Sequence, residues 1–334
     1  MSTIPSIDLI NNTPFGVEIE MTGITRETAA RVAASTFGAG SVRHTGGSYD
    51  EWTFIDERAR EWKFVFDSSI RTTGGRNTAC ELNTPPITYA EDMENLQTLI
   101  RALRHAGAVS GAQYGCGLHI HVSAKNHTYK TVKNFIHLFY SNDELIRKSL
   151  GVAQDREHWC QAIGADLVDA VANCNSLEKL EDAWYQTYAP YDNRTAHYNP
   201  SRYHILNLHR YFSTLGKPSN TIEVRAFNAS LHAGEVRAYV LFILSLNASA
   251  LTQKNIRASK NQIMVDGNEK FAMRTWLNRM GWTGEMFKNP HALFIKRLNG
   301  DSAWRFGRDG DQYRPNGGRD GYYNYQRQVE VPFS

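Results

Sequence analysis

Glu18 and Glu20 stand two residues apart in Phe15-Gly16-Val17-Glu18-Ile19-Glu20-Met21, where apolar and polar residues alternate. On a strand, Phe15, Val17, Ile19 and Met21 share one face and both carboxylates the other. Neighbouring like charges repel unless a cation neutralises them, so the pair suits metal binding; a plain solvent-facing strand is the alternative. Gly117-Leu118-His119-Ile120-His121-Val122-Ser123 repeats the construction with His119 and His121. Imidazoles two apart on a strand converge on one metal or phosphate, although a single histidine is more often structural. In Thr221-Ile222-Glu223-Val224-Arg225-Ala226-Phe227, Glu223 and Arg225 fall together opposite Ile222, Val224 and Ala226. They either pair across a solvated face or divide the work, carboxylate on a cation and guanidinium on a phosphate. Glu81 adds a carboxylate in Cys80-Glu81-Leu82-Asn83, a short strand ended by Pro85 and Pro86.

Four segments scattered over more than 200 residues thus place oxygen or nitrogen ligands on one face and apolar residues on the other. Independent surface strands rarely agree in this way. Carboxylate oxygens suit magnesium or manganese, and several together suit two ions against nucleotide phosphates. No Gly-x-x-x-x-Gly-Lys-[Ser/Thr] loop is present, so phosphate would be held by metal and arginine.

Positioning these strands requires a covering layer of helices. Thr88-Tyr-Ala-Glu91 has capping-box spacing, and Met93, Leu96, Ile100 and Leu103 follow at helical spacing until Gly107. A second helix spans about 129–150, with Val132, Phe135, Ile136 and Phe139 as its stripe and Gly151 as its stop. A third, about 234–251, is apolar on most faces and is expected deep in the core; it is too short to span a bilayer. Residues 52–55 and 62–66 read as a hairpin with charged residues 56–61 at its tip. The expected fold class is α+β: strands covered by helices over 13–252, a helical extension over 253–298, and a Gly-, Arg- and Tyr-rich tail over 299–334. That tail reads as a solvated extension in preference to an anion-binding arm or lid.

With 334 residues, 41% hydrophobic, 21% charged and net charge +3, the chain has an ordinary globular composition and no strong charge pointing to nucleic acid. MSTIPSIDLINN resembles neither a secretory leader nor a membrane anchor, and the four cysteines lack Cys-x-x-Cys spacing, so a cytoplasmic protein with reduced thiols is expected.

Taken in order, Phe-Gly-Val-Glu-Ile-Glu at 15–20, Glu-Leu-Asn-Thr-Pro-Pro at 81–86, Gly-Leu-His-Ile-His-Val at 117–122 and Thr-Ile-Glu-Val-Arg-Ala-Phe at 221–227 resemble the amidoligase family. These carboxylate–amine ligases are related to glutamate–cysteine ligase and glutamine synthetase. The likeness extends over about 13–250, including Trp62 through Ser69 and Ser201 through Leu208. It implies a glutamine synthetase-like, curved and mainly antiparallel sheet, and ATP-driven joining of a small-molecule or peptide carboxylate to an amine through an acyl phosphate. It further implies that Glu18, His119 and Glu223 hold one magnesium or manganese ion and that Glu20 and Glu81 hold a second, with Asp67 the candidate third ligand. Arg225 would meet the transferred phosphate and His121 would lie beside it. Thr221 stands where glutamine synthetases often carry another arginine, which leaves the number of phosphate-binding arginines open. Arg202 and Asn207 are candidate docking residues for a substrate carboxylate. A metal-dependent amide or ester hydrolase, and an inactive interaction protein of this fold, are the competing readings.

Overall fold

The computed structural model describes residues 4–217, 219–259 and 267–308. Alternation in the sequence becomes strands as expected at β1 Phe15–Met21, β3 Glu51–Ile55, β4 Glu61–Val65, β5 Cys80–Asn83, β6 Gly117–Ser123 and β8 Thr221–Asn228, and two strands that the sequence did not announce join them, β2 Arg43–Gly46 and β7 Leu206–Asn207. They form one open sheet in the order β2-β3-β4-β5-β1-β6-β8-β7, with antiparallel neighbours throughout. The long non-consecutive connections bring β1 to the middle, between β5 and β6, which is why the two carboxylates of the first motif lie at the centre of the site.

Helices α1 Ile7–Asn12, α2 Arg26–Thr36, α3 Tyr89–His105, α4 Tyr129–Leu150 and α8 Ala233–Thr252 pack on one another and on the sheet's apolar residues. The three helices read from the sequence are present within two residues of their expected bounds, and Gly151 ends α4 in the left-handed conformation at φ 62°. Buried α8 carries two serines, whose hydroxyls donate to Leu241 O and Ser245 O at 2.8 Å each. Its Tyr239 meets the apolar sheet face through Phe227, which stacks on it with ring centroids 4.5 Å apart. The expected capping box of α3 does not form. Asp92 accepts the Thr88 backbone N–H at 2.9 Å, while Glu91 is drawn away to Arg58 at 2.6 Å.

Shorter helices α5 Ala165–Val171, α6 Leu177–Tyr188 and α7 Leu208–Ser213 belong to the stretch that reaches the β7–β8 end of the sheet. The C-terminal extension contains α9 Glu269–Arg279 and α10 Glu285–Ile295. Phe294 of α10 is fully buried with its ring 4.5 Å from Phe242, and Trp282 Nε1 donates to Ser245 Oγ at 2.8 Å, so the extension shares the core of α8. The first residues of the expected tail turn back on α9: Asn268 Nδ2 donates to Trp304 O and Arg305 O, both at 2.8 Å. Arg314, Arg319 and Arg327 lie outside the described residues. No helix among the described residues is long and apolar enough to cross a membrane.

Candidate active site

Pairing across β5, β1, β6, β8 and β7 sets the site. Glu18 is opposite Asn83 on one side and His119 on the other, Glu20 is opposite Glu81, and Glu223 is opposite both His121 and Asn207. The β6–β8 register shifts between Leu118 and Ile120, whose partners are Phe227 and Val224. The extra residue re-phases the strand, so Phe227 returns to the helical core while Glu223 and Arg225 stay on the polar face.

One group of ligands consists of Glu18, His121 and Glu223, each offering an atom within 4.8 Å of the others. His119 stands beside them, with Nδ1 2.9 Å from Glu18 Oε2 and 3.7 Å from Glu223 Oε1. His121 Nε2 lies 2.9 Å from Glu18 Oε1 but off the direction of a proper hydrogen bond, leaving a buried nitrogen without an aligned partner. Arg225 Nη1 pairs closely with Glu223 Oε1, and Arg225 Nε donates to Trp159 O at 3.2 Å. Asn207 Nδ2 donates to Glu223 Oε2 at 2.7 Å, and its Oδ1 accepts the Arg210 backbone N–H at 3.2 Å. Both ends of this carboxamide are therefore engaged in holding Glu223 and starting α7. Arg202 lies apart from the acids, against the rings of Tyr198 and Tyr203 and donating to His197 O at 2.9 Å.

The charges in this group are largely compensated. Burial alone would raise Glu223, but Arg225 and His121 outweigh it and hold the carboxyl at about 2. Burial is likewise overcome at Glu18 by His121 and His119, which keep it well below the usual carboxylate range. Burial and then Arg225 push His119 down to about 4, whereas Glu18 and Glu223 overcome burial at His121 and raise it. These surroundings thus favour the neutral imidazole at His119 and stabilise the charged form of His121.

The second group is Glu20, Asp67 and Glu81, again with ligand atoms within 4.8 Å of one another. Asp67, just beyond β4, joins two carboxylates that face each other directly across β1 and β5. Glu20 Oε2 accepts the Gly117 N–H at 2.6 Å. Burial, then Asp67, pushes Glu20 up to about 7, and burial with Glu18, Glu20 and Asp67 raises Glu81 well above its ordinary value. Three close carboxylates with no ion-pair partner among the described residues are the pattern a cation relieves.

Two arginines escaped the motif reading. Arg156 is 3% exposed, and its guanidinium lies flat on Gly117, where a Cβ would sit 2.3 Å from Nη1. Its Nε and Nη2 are buried without a hydrogen-bond partner. In Asp155-Arg156-Glu157 it reads as one more surface charge, and only the bare backbone of Gly117 signals a close neighbour. Arg210, on α7, lines a cavity of about 290 Å³ that opens beside Glu18 and His121.

An open antiparallel sheet, backed by helices and carrying carboxylates, imidazoles and arginines on its polar face, defines an α+β protein with an enzyme-like site. A family model described as "Putative amidoligase enzyme" matches residues 11–247, well over half the chain, and the protein belongs to that ligase-type family. No curated protein matches the chain.

Proposed function

We propose that the protein is an ATP- and magnesium-dependent carboxylate–amine ligase with a glutamine synthetase-like sheet, acting through an acyl phosphate. The observation that carries this reading is the pair of three-ligand groups on one sheet face, drawn from segments inside the family match. The donors fit two divalent ions. Glu20, Asp67 and Glu81 offer only oxygen, as magnesium prefers, and the unaligned nitrogen of His121 with Glu18 and Glu223 suits manganese or magnesium. His119 is the other imidazole available to that ion. Bound there, the ions would neutralise charge on the polyphosphate.

A carboxylate is a poor acyl donor because its leaving group would be oxide. Attack of the carboxylate oxygen on the terminal phosphorus of ATP forms the acyl phosphate and releases ADP. The amine then adds to the carbonyl carbon, phosphate leaves with the C–O bond's electrons, and the amine loses a proton. Arg225, clamped by Glu223 and the Trp159 carbonyl, is placed to meet charge on the migrating phosphoryl. Because it is already fixed, little reorganisation accompanies the transfer.

The test is a hydroxamate assay, since hydroxylamine intercepts acyl phosphates without the natural amine. Amino acids and short peptides supplied as carboxylates with ATP and magnesium should give hydroxamate, ADP and phosphate, and Arg225→Ala should abolish them. AMP and pyrophosphate would indicate an acyl adenylate. Glu18, His121 and Glu223 are also a donor set that zinc accepts, so hydrolysis of amides or esters without nucleotide would favour the metallohydrolase.

A further inference from the structure

Thr221 begins β8 at the wall of the cavity that opens beside Glu18 and His121, and it brings no positive charge to that wall. The only lysine or arginine among the cavity's described lining residues is Arg210, which faces Thr221, Asn220, Thr84 and His121 around the same space. Arg225 is held by Glu223 and the Trp159 carbonyl, Arg202 lies against its two tyrosines and His197 O, and Arg156 lies on Gly117 and does not line this cavity. Arg210 forms no ion pair among the described residues, and its Nε is buried without a hydrogen-bond partner. A guanidinium in a partly enclosed cavity, with its donors unused, is a receptor for an anion.

The backbone beneath Arg210 is fixed relative to the acids. Asn207 bridges from the Arg210 N–H to Glu223 Oε2, at 3.2 and 2.7 Å. Thr214 Oγ1 donates to Arg210 O at 2.7 Å, and Asn220 Nδ2 donates to Tyr211 O at 2.6 Å, tying α7 to the start of β8. The arginine stem therefore starts from a rigid turn, which lowers the ordering cost when its fork engages a ligand.

We infer that Arg210 grips the polyphosphate of ATP on the His121 side of the site, supplying from α7 the guanidinium that Thr221 does not supply from β8. This rests on the ligase reading. Arg210 is then a nucleotide-binding residue drawn from a stretch without strand alternation, and Asn207 positions it and Glu223 together.

Calorimetry with Mg·AMP-PNP separates the possibilities, using the full chain as wild type, Arg210→Ala and Arg210→Lys. Loss of a charge-assisted fork should weaken binding at least about tenfold in Arg210→Ala, with partial recovery in Arg210→Lys. Manganese titrated alone should bind both variants as it binds wild type, and their melting temperatures should match. Equal Mg·AMP-PNP affinity in wild type and Arg210→Ala overturns this inference and leaves the ligase reading standing. Equal weakening of manganese alone overturns it too, because Arg210 would then be supporting the fold of the site. Wild type that binds manganese but no Mg·AMP-PNP removes the nucleotide reading and this inference with it.

Discussion

The two halves of the sheet's polar face are built on opposite electrostatic plans. Around Glu223, two acids meet a guanidinium and an imidazole whose charged form they stabilise, and both carboxyls are held below their ordinary range. Around Glu81, three acids meet one another, and burial with mutual repulsion drives Glu20 up to about 7. The Glu223 half balances its charges internally. The Glu20 half ionises fully only when something positive arrives, which makes it the part of the site that reports cation binding most directly.

The largest expected effect is a reversal of sign between the halves. Glu223→Gln leaves the buried Arg225 without its counter-charge, which typically costs about 3–5 kcal/mol. Glu81→Gln removes one of three repelling carboxylates and should leave the metal-free protein as stable or slightly more stable. Urea unfolding in chelator at neutral pH measures both. Comparable destabilisation by the two substitutions would dissolve the distinction.

A smaller effect, with a definite pH window, isolates Glu20. Its folded value of about 7 exceeds the ordinary 4.5, so the fold favours the neutral acid. Below pH 4.5 the group is protonated in both states and costs nothing. Between 4.5 and 7 the unfolded chain ionises first and stability is lost, by about 3 kcal/mol once pH exceeds the folded value. His119, held down at about 4, contributes in the opposite direction over part of this range, so the quantity to follow is the difference between Glu20→Gln and wild type. That difference should grow in favour of the variant from pH 4.5 to above 7 in metal-free buffer, and magnesium should shrink it. A flat difference would mean that Glu20 is already compensated, as Glu223 is.

Much of this face was legible in the sequence because strand alternation is a local property. Each of β1, β5, β6 and β8 announces its own polar side, and the match in order along the chain ties them together. What the pattern leaves out arrives from elements with no period. Arg156 comes from a short 3-10 turn over Gln154–Trp159, and Arg210 from a six-residue helix. Their roles depend on what they touch, which spacing does not encode. Alternation also misleads at Phe227, because a bulge adds a residue without any mark in the sequence. Tyr185 and Tyr211 sit in the core, each 1% exposed. The C-terminal helices were visible in part, as a helical extension over 253–298, while α10 with its internal Pro290 reads poorly as a helix until Phe294 is seen against Phe242.

The smallest effect tests whether the two halves act independently. Tyr49, in the turn before β3, places its hydroxyl 3.2 Å from that of Tyr198, in the stretch that leads to α7. Tyr49 is close enough to Asp67 to feel its charge, and Tyr198 lies against Arg202, so the contact links the acid-rich half to the stretch that leads to α7. Both rings are exposed, at 47% and 64%, and a solvated hydroxyl pair contributes at most about 1 kcal/mol. Tyr49→Phe deletes only the hydroxyl and keeps the ring. If the halves differ because of their own charges, the variant should bind manganese within about twofold of wild type, a change under about 0.5 kcal/mol. A larger shift in metal affinity would show that this hydroxyl contact, and not the local balance of acids and bases alone, tunes the acid-rich half.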